Sequence, residues 1–286
     1  MCNPKCALCG LEKELQLSHI VPKFVGRYLK KSSAGAIRNL SNPNRTVQDI
    51  EKHYLLCHDC EELFSNAETY FANTIFYPYQ KDEVKQFHYD EKAFYFIVSL
   101  SWRSLYLDIC NFVRQGTIPV EVLQTMIDSE KIMRDYLLGN RHNIGNIENH
   151  IFFFERIQSI SGEMDFKNPH TTVHRALQSY SGYADDTVFT VSNLLGIIIV
   201  SLYSKGTKEN WTNTQIFETG GTIASGNQGM VSCIGAEIHY WTQQTSIAQD
   251  QMSEQTIQQI EEKFDKIGED IKSYKIYQDI VDDSNL

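Results

Sequence analysis

Two Cys-x-x-Cys pairs enclose a Ser-His-Ile-Val-Pro segment near the start of this chain, and their spacing restricts how the first 60 residues can fold. The pairs are Cys6 with Cys9 and Cys57 with Cys60, and the enclosed histidine is His19. Each pair can present two thiolates from one tight turn, and two such turns complete the tetrahedral four-sulfur site that Zn²⁺ accepts. We therefore predict one structural Zn²⁺ on these four cysteines, with a pair of disulfides or a redox Cys-x-x-Cys as the alternatives.

The other cysteines, Cys2, Cys110 and Cys233, bring the total to seven, an odd number. Unpaired thiols suit a reducing compartment, where clustered cysteines hold metal more often than disulfides. The first residues lack the apolar core of a secretory signal, and no apolar run reaches the roughly 18 residues of a membrane span. We expect a cytoplasmic protein without a membrane partner.

Charge is distributed unevenly along the chain. The net charge is −10, but residues 1–47 contain eight Lys or Arg against two Glu. A basic patch on an acidic body fits phosphate contact confined to one face, so we predict nucleic-acid contacts there; an ordinary solvated surface is the alternative. The predicted contact residues are Lys23, Arg27, Lys30, Lys31, Arg38 and Arg45.

The pattern of apolar residues divides the chain into a metal module, 1–80, and a larger region, 81–286. In the module, 11–24 indicates a short hairpin or loop-strand carrying His19, 32–46 an exposed loop, and 61–76 a helix. With 286 residues, of which 42% are hydrophobic, the chain is long enough for one large domain or two ordinary ones.

The larger region changes from helical to strand character near residue 150. Helices are predicted over about 91–139, with a new one after Pro119, and the apolar run near 94–113 is interrupted by Arg103, Asp108 and Asn111. Strands are predicted over about 150–241 and a helix over about 253–281, which gives an α+β class with mainly antiparallel strands. The individual strands are 151–157, 188–191, 196–203 and 235–241.

The predicted C-terminal helix carries a short apolar seam with heptad-like spacing. Its positions are Ile257, Ile260, Phe264, Ile267, Ile271 and Tyr274. The seam is too short for an independent coiled coil, so it must pack on the protein's own strands or on another subunit. A homodimer or a partner subunit joined through this helix is therefore an open possibility.

We interpret the weaker patterns in the sequence as structural rather than functional. The glycine-rich stretch 220–229 lacks the Lys-Ser/Thr of a phosphate loop, so we interpret it as a mobile loop or hairpin. The Asn-Pro before His170 argues against a helix containing His170 and His174, so both are predicted at the surface. The abundant Tyr and Phe of the strands are expected in the core rather than as a base-stacking platform.

The N-terminal motifs resemble those of the HNH endonucleases, also called His-Me or ββα-metal finger nucleases. Many members carry Cys-x-x-Cys, then an acidic residue or His followed by His-Ile-x-Pro, and then Leu-Cys-x-x-Cys-His opening a helix. The matching text here is Cys-Ala-Leu-Cys (6–9), Ser-His-Ile-Val-Pro (18–22) and Leu-Leu-Cys-His-Asp-Cys-Glu (55–61). The resemblance covers roughly the first 75 residues, about a quarter of the chain.

This resemblance implies a zinc-stapled ββα-type module in which His19 is the general base that takes a proton from water. It implies a catalytic divalent cation, Mg²⁺ or Mn²⁺, and DNA as the substrate. Standalone bacterial proteins resembling this layout often serve in anti-phage defence or in mobile elements. The expected function is a metal-dependent HNH-like endonuclease; otherwise His19 only bonds to backbone or completes a zinc knuckle.

Two positions depart from the family pattern. Ser18 stands where the family has an Asp or His metal ligand, and Glu61 stands where it has its final His. Glutamate is a good ligand for Mg²⁺ or Mn²⁺, so Glu61 is a candidate catalytic residue. Asp49, His53 and His58 are further candidates to supply a ligand or orient the base.

These departures keep other functions open. One is a non-catalytic zinc module that binds nucleic acid or a protein partner. Another is an interaction subunit of a larger assembly that pairs through the C-terminal seam. Cleavage of plasmid DNA separates the first of these from a nuclease.

Overall fold

The computed structural model describes residues 5–33, 37–82, 84–155 and 166–286 and confirms the α+β class. Cys2 and the last two residues of the strand predicted at 151–157 lie outside the described residues. The N-terminal elements are β1 (Leu15–His19), α1 (Lys23–Ser32), β2 (Arg38–Asn39), β3 (Asn42–Thr46), β4 (Lys52–Cys57) and α2 (His58–Phe71).

Strands β1 and β4 form an antiparallel pair, and α2 follows β4 without a break, which is a ββα arrangement. In this pair Leu15 lies opposite Cys57 and His19 lies opposite Lys52. Helix α2 begins three residues before the predicted 61–76 and continues through a π-helical turn (Ala72–Phe76) into α3 (Tyr77–Gln80). Acidic Asp59 in the first turn favours this start because it interacts well with the helix dipole.

Helix α1 was not predicted, and the exposed loop predicted over 32–46 was wrong in part, because that segment contains the β2–β3 pair. A glycine in the middle of α1 hid the helix from the sequence pattern. Gly26 is there because α1 packs closely on the following loop: a Cβ at Gly26 would come within 2.8 Å of Ile50 Cγ2.

The predicted helical segment is confirmed as an antiparallel pair of helices. It consists of α4 (Glu91–Gln115) and α5 (Val120–Leu137), and a short strand, β5 (Gln86–Tyr89), precedes it. The Asp90 side chain accepts a hydrogen bond from Lys92 N at 2.8 Å and caps α4, and Gly116 ends that helix at φ +63°. Pro119 stands directly before α5, as expected.

A five-stranded antiparallel sheet forms the centre of the larger region, in the order β11-β6-β9-β8-β7. All eight residues of β8 are buried, as are the first six of β9. The elements from β6 to β13 are β6 (Glu148–Phe153), α6 (Pro169–Arg175), β7 (Leu177–Ala184), β8 (Thr187–Leu194), β9 (Ile197–Ser204), β10 (Asn210–Thr212), β11 (Gln215–Ile216), β12 (Gly221–Ala224) and β13 (Gly229–Val231).

Hydroxyl groups join the sheet to α4, and all of them are buried except that of Ser179, which is half-buried. Ser179 Oγ lies 2.5 Å from Ser104 Oγ and 2.6 Å from Ser192 Oγ. Ser201 Oγ lies 2.8 Å from Ser101 Oγ on the same helix. These side chains satisfy one another, as buried polar groups must.

Two predictions for the larger region were wrong. The strand predicted at 235–241 is part of α7 (Ile234–Asp250), where Ile234, Ile238 and Trp241 follow a helical spacing and are buried. His170 and His174 are not at the surface: they lie in α6 and are buried, because Pro169 occupies the first turn, where it needs no hydrogen-bond donor.

The single helix predicted over 253–281 was also wrong, because Gly268 interrupts it at φ +61°. The segment consists of α8 (Glu254–Ile267), a 3-10 turn (Gly268–Ser273) and α9 (Lys275–Ser284). Helix α9 packs on α6, where Arg175 Nε lies 2.8 Å from Asp279 Oδ2. The seam is only half-buried within the chain, and pairing with a second subunit stays a prediction.

The largest hydrophobic core is continuous from Cys6 in the metal module to Ile223 in β12. It therefore crosses residue 80, where the sequence suggested a boundary. Among the helices that the structure describes, none combines the length and the apolar character needed to cross a bilayer.

Candidate metal centre and histidine site

The four predicted zinc ligands converge. The sulfur atoms of Cys6, Cys9, Cys57 and Cys60 all lie within 4.8 Å of one another, and Cys9 Sγ is 3.9 Å from Cys57 Sγ. Sulfurs at the corners of a zinc tetrahedron with bonds of about 2.3 Å lie about 3.8 Å apart. The cluster is thus compatible with a structural zinc site, and no other such group of three or more His, Cys, Asp or Glu occurs in the described residues.

Local structure brings the two pairs together. The first pair lies in a turn closed by a hydrogen bond from Gly10 N to Cys6 O (2.9 Å), with Gly10 at φ +71°. A second bond, from Ala7 N to Leu55 O (3.0 Å), ties this turn to β4. The second pair lies at the junction of β4 and α2.

Backbone amides favour the thiolate form of Cys6. Cys57 N donates to Cys6 Sγ at 3.3 Å. Burial opposes ionisation of Cys6, but hydrogen bonds from the amides of Cys9, Cys57 and Leu8 lower the pKa of this thiol. Burial raises the pKa of the Cys60 thiol, so a thiolate at Cys60 needs a cation beside it.

His19, at the end of β1, faces a carboxylate. Its Nε2 lies 3.3 Å from both oxygens of Asp49, and its side chain is 16% exposed. The Lys52 ammonium, 2.9 Å from Asp49 Oδ2, is the main cause that lowers the pKa of Asp49 to about 2. Asp49 is therefore ionised at neutral pH, and no described residue hydrogen-bonds to His19 Nδ1.

The backbone of His19 is held by an arginine from the larger region. Arg103 Nη1 donates to His19 O at 2.9 Å, Nη2 donates to Glu68 Oε1 at 2.8 Å, and Nε donates to Ser99 O at 3.2 Å. The guanidinium is buried, with its central carbon 5.2 Å from the centre of the Phe64 ring. Helices α2 and α4 thus meet at the carbonyl of the candidate base.

Neither of the two positions that depart from the HNH pattern forms a hydrogen bond or ion pair with the His19 imidazole in the described residues. Ser18 is buried, and its hydroxyl accepts a hydrogen bond from Leu56 N at 3.3 Å. Glu61 lies in the first turn of α2, about 10 Å along the helix axis from Glu68, the residue that meets Arg103. No hydrogen bond or ion pair joins Glu61 to His19 in the described part of the chain, and Glu61 Oε1 is buried without a partner.

The other two histidine candidates have different partners. His53 Nε2 lies 2.8 Å from Glu51 Oε1, and His58 Nε2 lies 3.5 Å from Glu62 Oε1. Of the candidates named from the sequence, Asp49 alone meets His19. Sequence reasoning missed Arg103, although an arginine inside an apolar run was a visible signal.

Four of the predicted nucleic-acid contacts form a basic stripe on α1, which starts four residues after His19. Lys23, Arg27, Lys30 and Lys31 lie within about 100° of one another around the helix axis. Three of them are exposed and Lys30 is half-buried, and none forms an ion pair with a described residue. Arg38 and Arg45 lie apart from this stripe, on β2 and β3.

A cleft of about 1100 Å³ separates the metal module from the C-terminal helices. Asp49 and Arg38 line it on the module side, and Ile260 and Phe264 of α8 line it on the other. Part of the predicted seam thus faces a cavity beside the His19–Asp49 pair.

Comparisons with protein-family models, with curated proteins and with solved structures return no match for this chain. These comparisons therefore assign the chain to no family.

Proposed function

We propose that this protein is a metal-dependent nuclease of the HNH type, with His19 as the general base for hydrolysis of a phosphodiester bond. The observation that carries the proposal is the His19–Asp49 pair at the end of β1, followed by a basic stripe that forms no ion pair within the described part of the chain. The ββα arrangement and the cysteine cluster support it, because both follow the HNH pattern.

The pair suits proton transfer from water. If His19 Nε2–H donates to Asp49, the Nδ1 lone pair is left to accept a proton. The water oxygen then bonds to phosphorus, the bond from phosphorus to the leaving oxygen breaks, and that oxygen takes a proton from solvent. Because Asp49 stays ionised, its charge stabilises the imidazolium that forms.

Two kinds of cation belong to the proposal. Zn²⁺ on the four cysteines would be structural. A catalytic Mg²⁺ or Mn²⁺ would stabilise charge on the leaving oxygen. Asp49 is the carboxylate nearest the base, and Mg²⁺ in phosphate enzymes often uses only one or two carboxylates besides substrate and water. Glu61 stays a predicted ligand of the catalytic cation. A titration of cleavage by Glu61→Gln with Mg²⁺ and with Mn²⁺ tests this prediction.

The α1 stripe suits a nucleic-acid backbone. Lys23, Arg27, Lys30 and Lys31 present ammonium and guanidinium groups that form no ion pair with a carboxylate of the described residues. Such groups bind phosphates and release the counterions of the nucleic acid. We propose DNA as the substrate. Defence against phage and a cytoplasmic location remain predictions, although the free cysteines fit a reducing compartment.

Cleavage assays test the proposal directly. Wild-type protein should cut plasmid or oligonucleotide DNA in the presence of Mg²⁺, Mn²⁺ or Ni²⁺. His19→Ala should lower the rate at least 100-fold, since a general base contributes about 10²–10⁴, and zinc content should not change. His142→Ala, at an exposed histidine outside the site, is the matched control; equal rates for both variants would remove His19 from the mechanism.

A second function has one observation in its favour. The Ser18 hydroxyl points into the module, toward Leu56 N, so the usual metal-ligand position is lost. A non-catalytic zinc module would bind nucleic acid or a protein partner without cutting. Tight DNA binding with no cleavage under any of the three cations would favour this function.

A further inference from the structure

One aromatic side chain of the module stands out by its exposure. Tyr54 on β4 is 72% exposed, more than any other tyrosine, phenylalanine or tryptophan that the structure describes. Its cross-strand partner on β1 is Leu17, which is 41% exposed. The next residue along β4, Leu55, is buried, so the β1–β4 ribbon has one covered face and one open face.

The open face of the ribbon also carries the candidate base. In the β1–β4 register Leu17 pairs with Tyr54 and His19 pairs with Lys52. Residues two apart in a strand point to the same side, about 6.7 Å from one another. Tyr54 therefore stands one step along the ribbon from His19, with the Lys52 ammonium on the same strand.

We propose that Tyr54 stacks on an unpaired base next to the phosphate attacked at His19, so that the substrate is single-stranded or locally unpaired nucleic acid. This inference rests on the proposed function and narrows its substrate class. An exposed aromatic ring accepts any base because every base has a π-face. In an intact duplex the faces of the bases are already stacked, and exposing one costs unpairing.

Size and charge favour nucleic acid over a protein as the occupant. Tyr54 and Leu17 form only a small apolar patch, whereas a stable protein interface covers about 800 Å² on each partner. The cations of the α1 stripe, which begins four residues after His19, complement a phosphate backbone. A ring flanked by backbone-binding cations is the usual composition of a single-strand binding surface.

Binding measured without cleavage tests the inference. The full chain carrying His19→Ala is titrated into a labelled 12-nucleotide single strand and into a duplex of equal length, and fluorescence anisotropy gives each Kd. Adding Tyr54→Ala should weaken single-strand binding about tenfold, within the range seen for loss of one stacked base. Tyr54→Phe keeps the ring and should bind as the parent does, as should the control Tyr240→Ala, which removes another exposed tyrosine (52%) on α7.

A second measurement does not depend on the folding of a variant. Single strands containing 5-iodouracil should cross-link to Tyr54 of the His19→Ala protein on irradiation, as identified by mass spectrometry. Unchanged binding by Tyr54→Ala, an equal loss for strand and duplex, cross-links only elsewhere, or no binding by the parent would each overturn the inference. If the stacking results hold and wild-type protein never cleaves, the nuclease proposal fails while the base-binding surface stands.

Discussion

The metal module and the central sheet stabilise strands in different ways. Strands β1 and β4 are five and six residues long, and among the described strands they pair only with each other. One face of this ribbon is open. Strands β8 and β9 are eight residues long and lie in the middle of five strands, with core packed on both faces. A two-stranded ribbon is marginal in water, so the module needs the cysteine cluster, whereas the sheet is stabilised by its own burial.

The two regions also treat polar groups differently. In the sheet, buried hydroxyls such as those of Ser181 and Thr190 satisfy one another. In the module, the side chains of His19 and Asp49 remain partly exposed to solvent. The candidate chemical groups therefore lie where burial is least complete, in the region that contains the cysteine cluster.

Removal of the cysteine cluster should have the largest effect on the difference between the two regions. We expect Cys57→Ser to lose bound zinc and to unfold the module, because zinc binding supplies about 10–16 kcal/mol in small zinc domains. Hydrogen exchange should show loss of protection in β1, β4 and α2, while β8 and β9 stay protected. Metal analysis gives the zinc content.

Cys110→Ser is the control for that experiment, since Cys110 is exposed on α4 and outside the cluster. Wild-type protein without zinc, or Cys57→Ser with full zinc, would contradict the assignment. Loss of protection throughout the sheet would show that the two regions fold as one unit.

The contact between the regions should give the next largest effect. Arg103→Ala removes hydrogen bonds to His19 O and leaves Glu68 without its partner, so we expect a loss of about 3 kcal/mol in the free energy of unfolding. Urea denaturation measures this loss. Arg114→Ala, at an exposed arginine of the same helix, should change stability by less than about 0.5 kcal/mol; similar losses in both variants would mean that the contact does not stabilise the fold.

The smallest expected effect is a pH dependence of stability, and its origin is Asp108 beside the edge strand of the sheet. Burial raises the pKa of Asp108 from its usual 3.8 to about 6, although Ser181 N donates to its carboxylate at 2.6 Å. A raised carboxyl pKa gives stability that is complete below pH 3.8 and is lost as the pH rises through about 6. Asp108→Asn should therefore be more stable than wild type at pH 7.5, by roughly 2–3 kcal/mol, and equal to it near pH 4.

Thermal melts at several pH values check this dependence. The control is Asp128→Asn, at an exposed aspartate of α5. This variant makes the same chemical change at an exposed side chain and is melted in parallel. A pH-independent difference for Asp108→Asn would mean that this carboxyl titrates normally.

Features encoded by nearby residues were predictable from the sequence. The two cysteine pairs form the compact cluster that their spacing indicated, and the apolar runs of α4, β8 and β9 gave the right elements. Such patterns need no knowledge of distant partners, because each run shows its own periodicity or spacing.

Features that depend on distant partners were not predictable. The glycine in α1 makes sense only beside Ile50, and residues 235–241 are helical because one side of α7 covers the sheet. The His19 site depends on Asp49, 30 residues away, and on Arg103, 84 residues away. A single sequence does not specify which of many polar residues will meet across such separations.

The reach of Arg103 to His19 O has a consequence for the order of events during synthesis. All four cysteines have been made once translation passes residue 60, but Arg103 follows 43 residues later. At 5–20 residues per second, this interval lasts about 2–9 s. A nascent chain can thus assemble its cysteine cluster before the arginine fixes the histidine, and the site is completed only once the body of the protein follows.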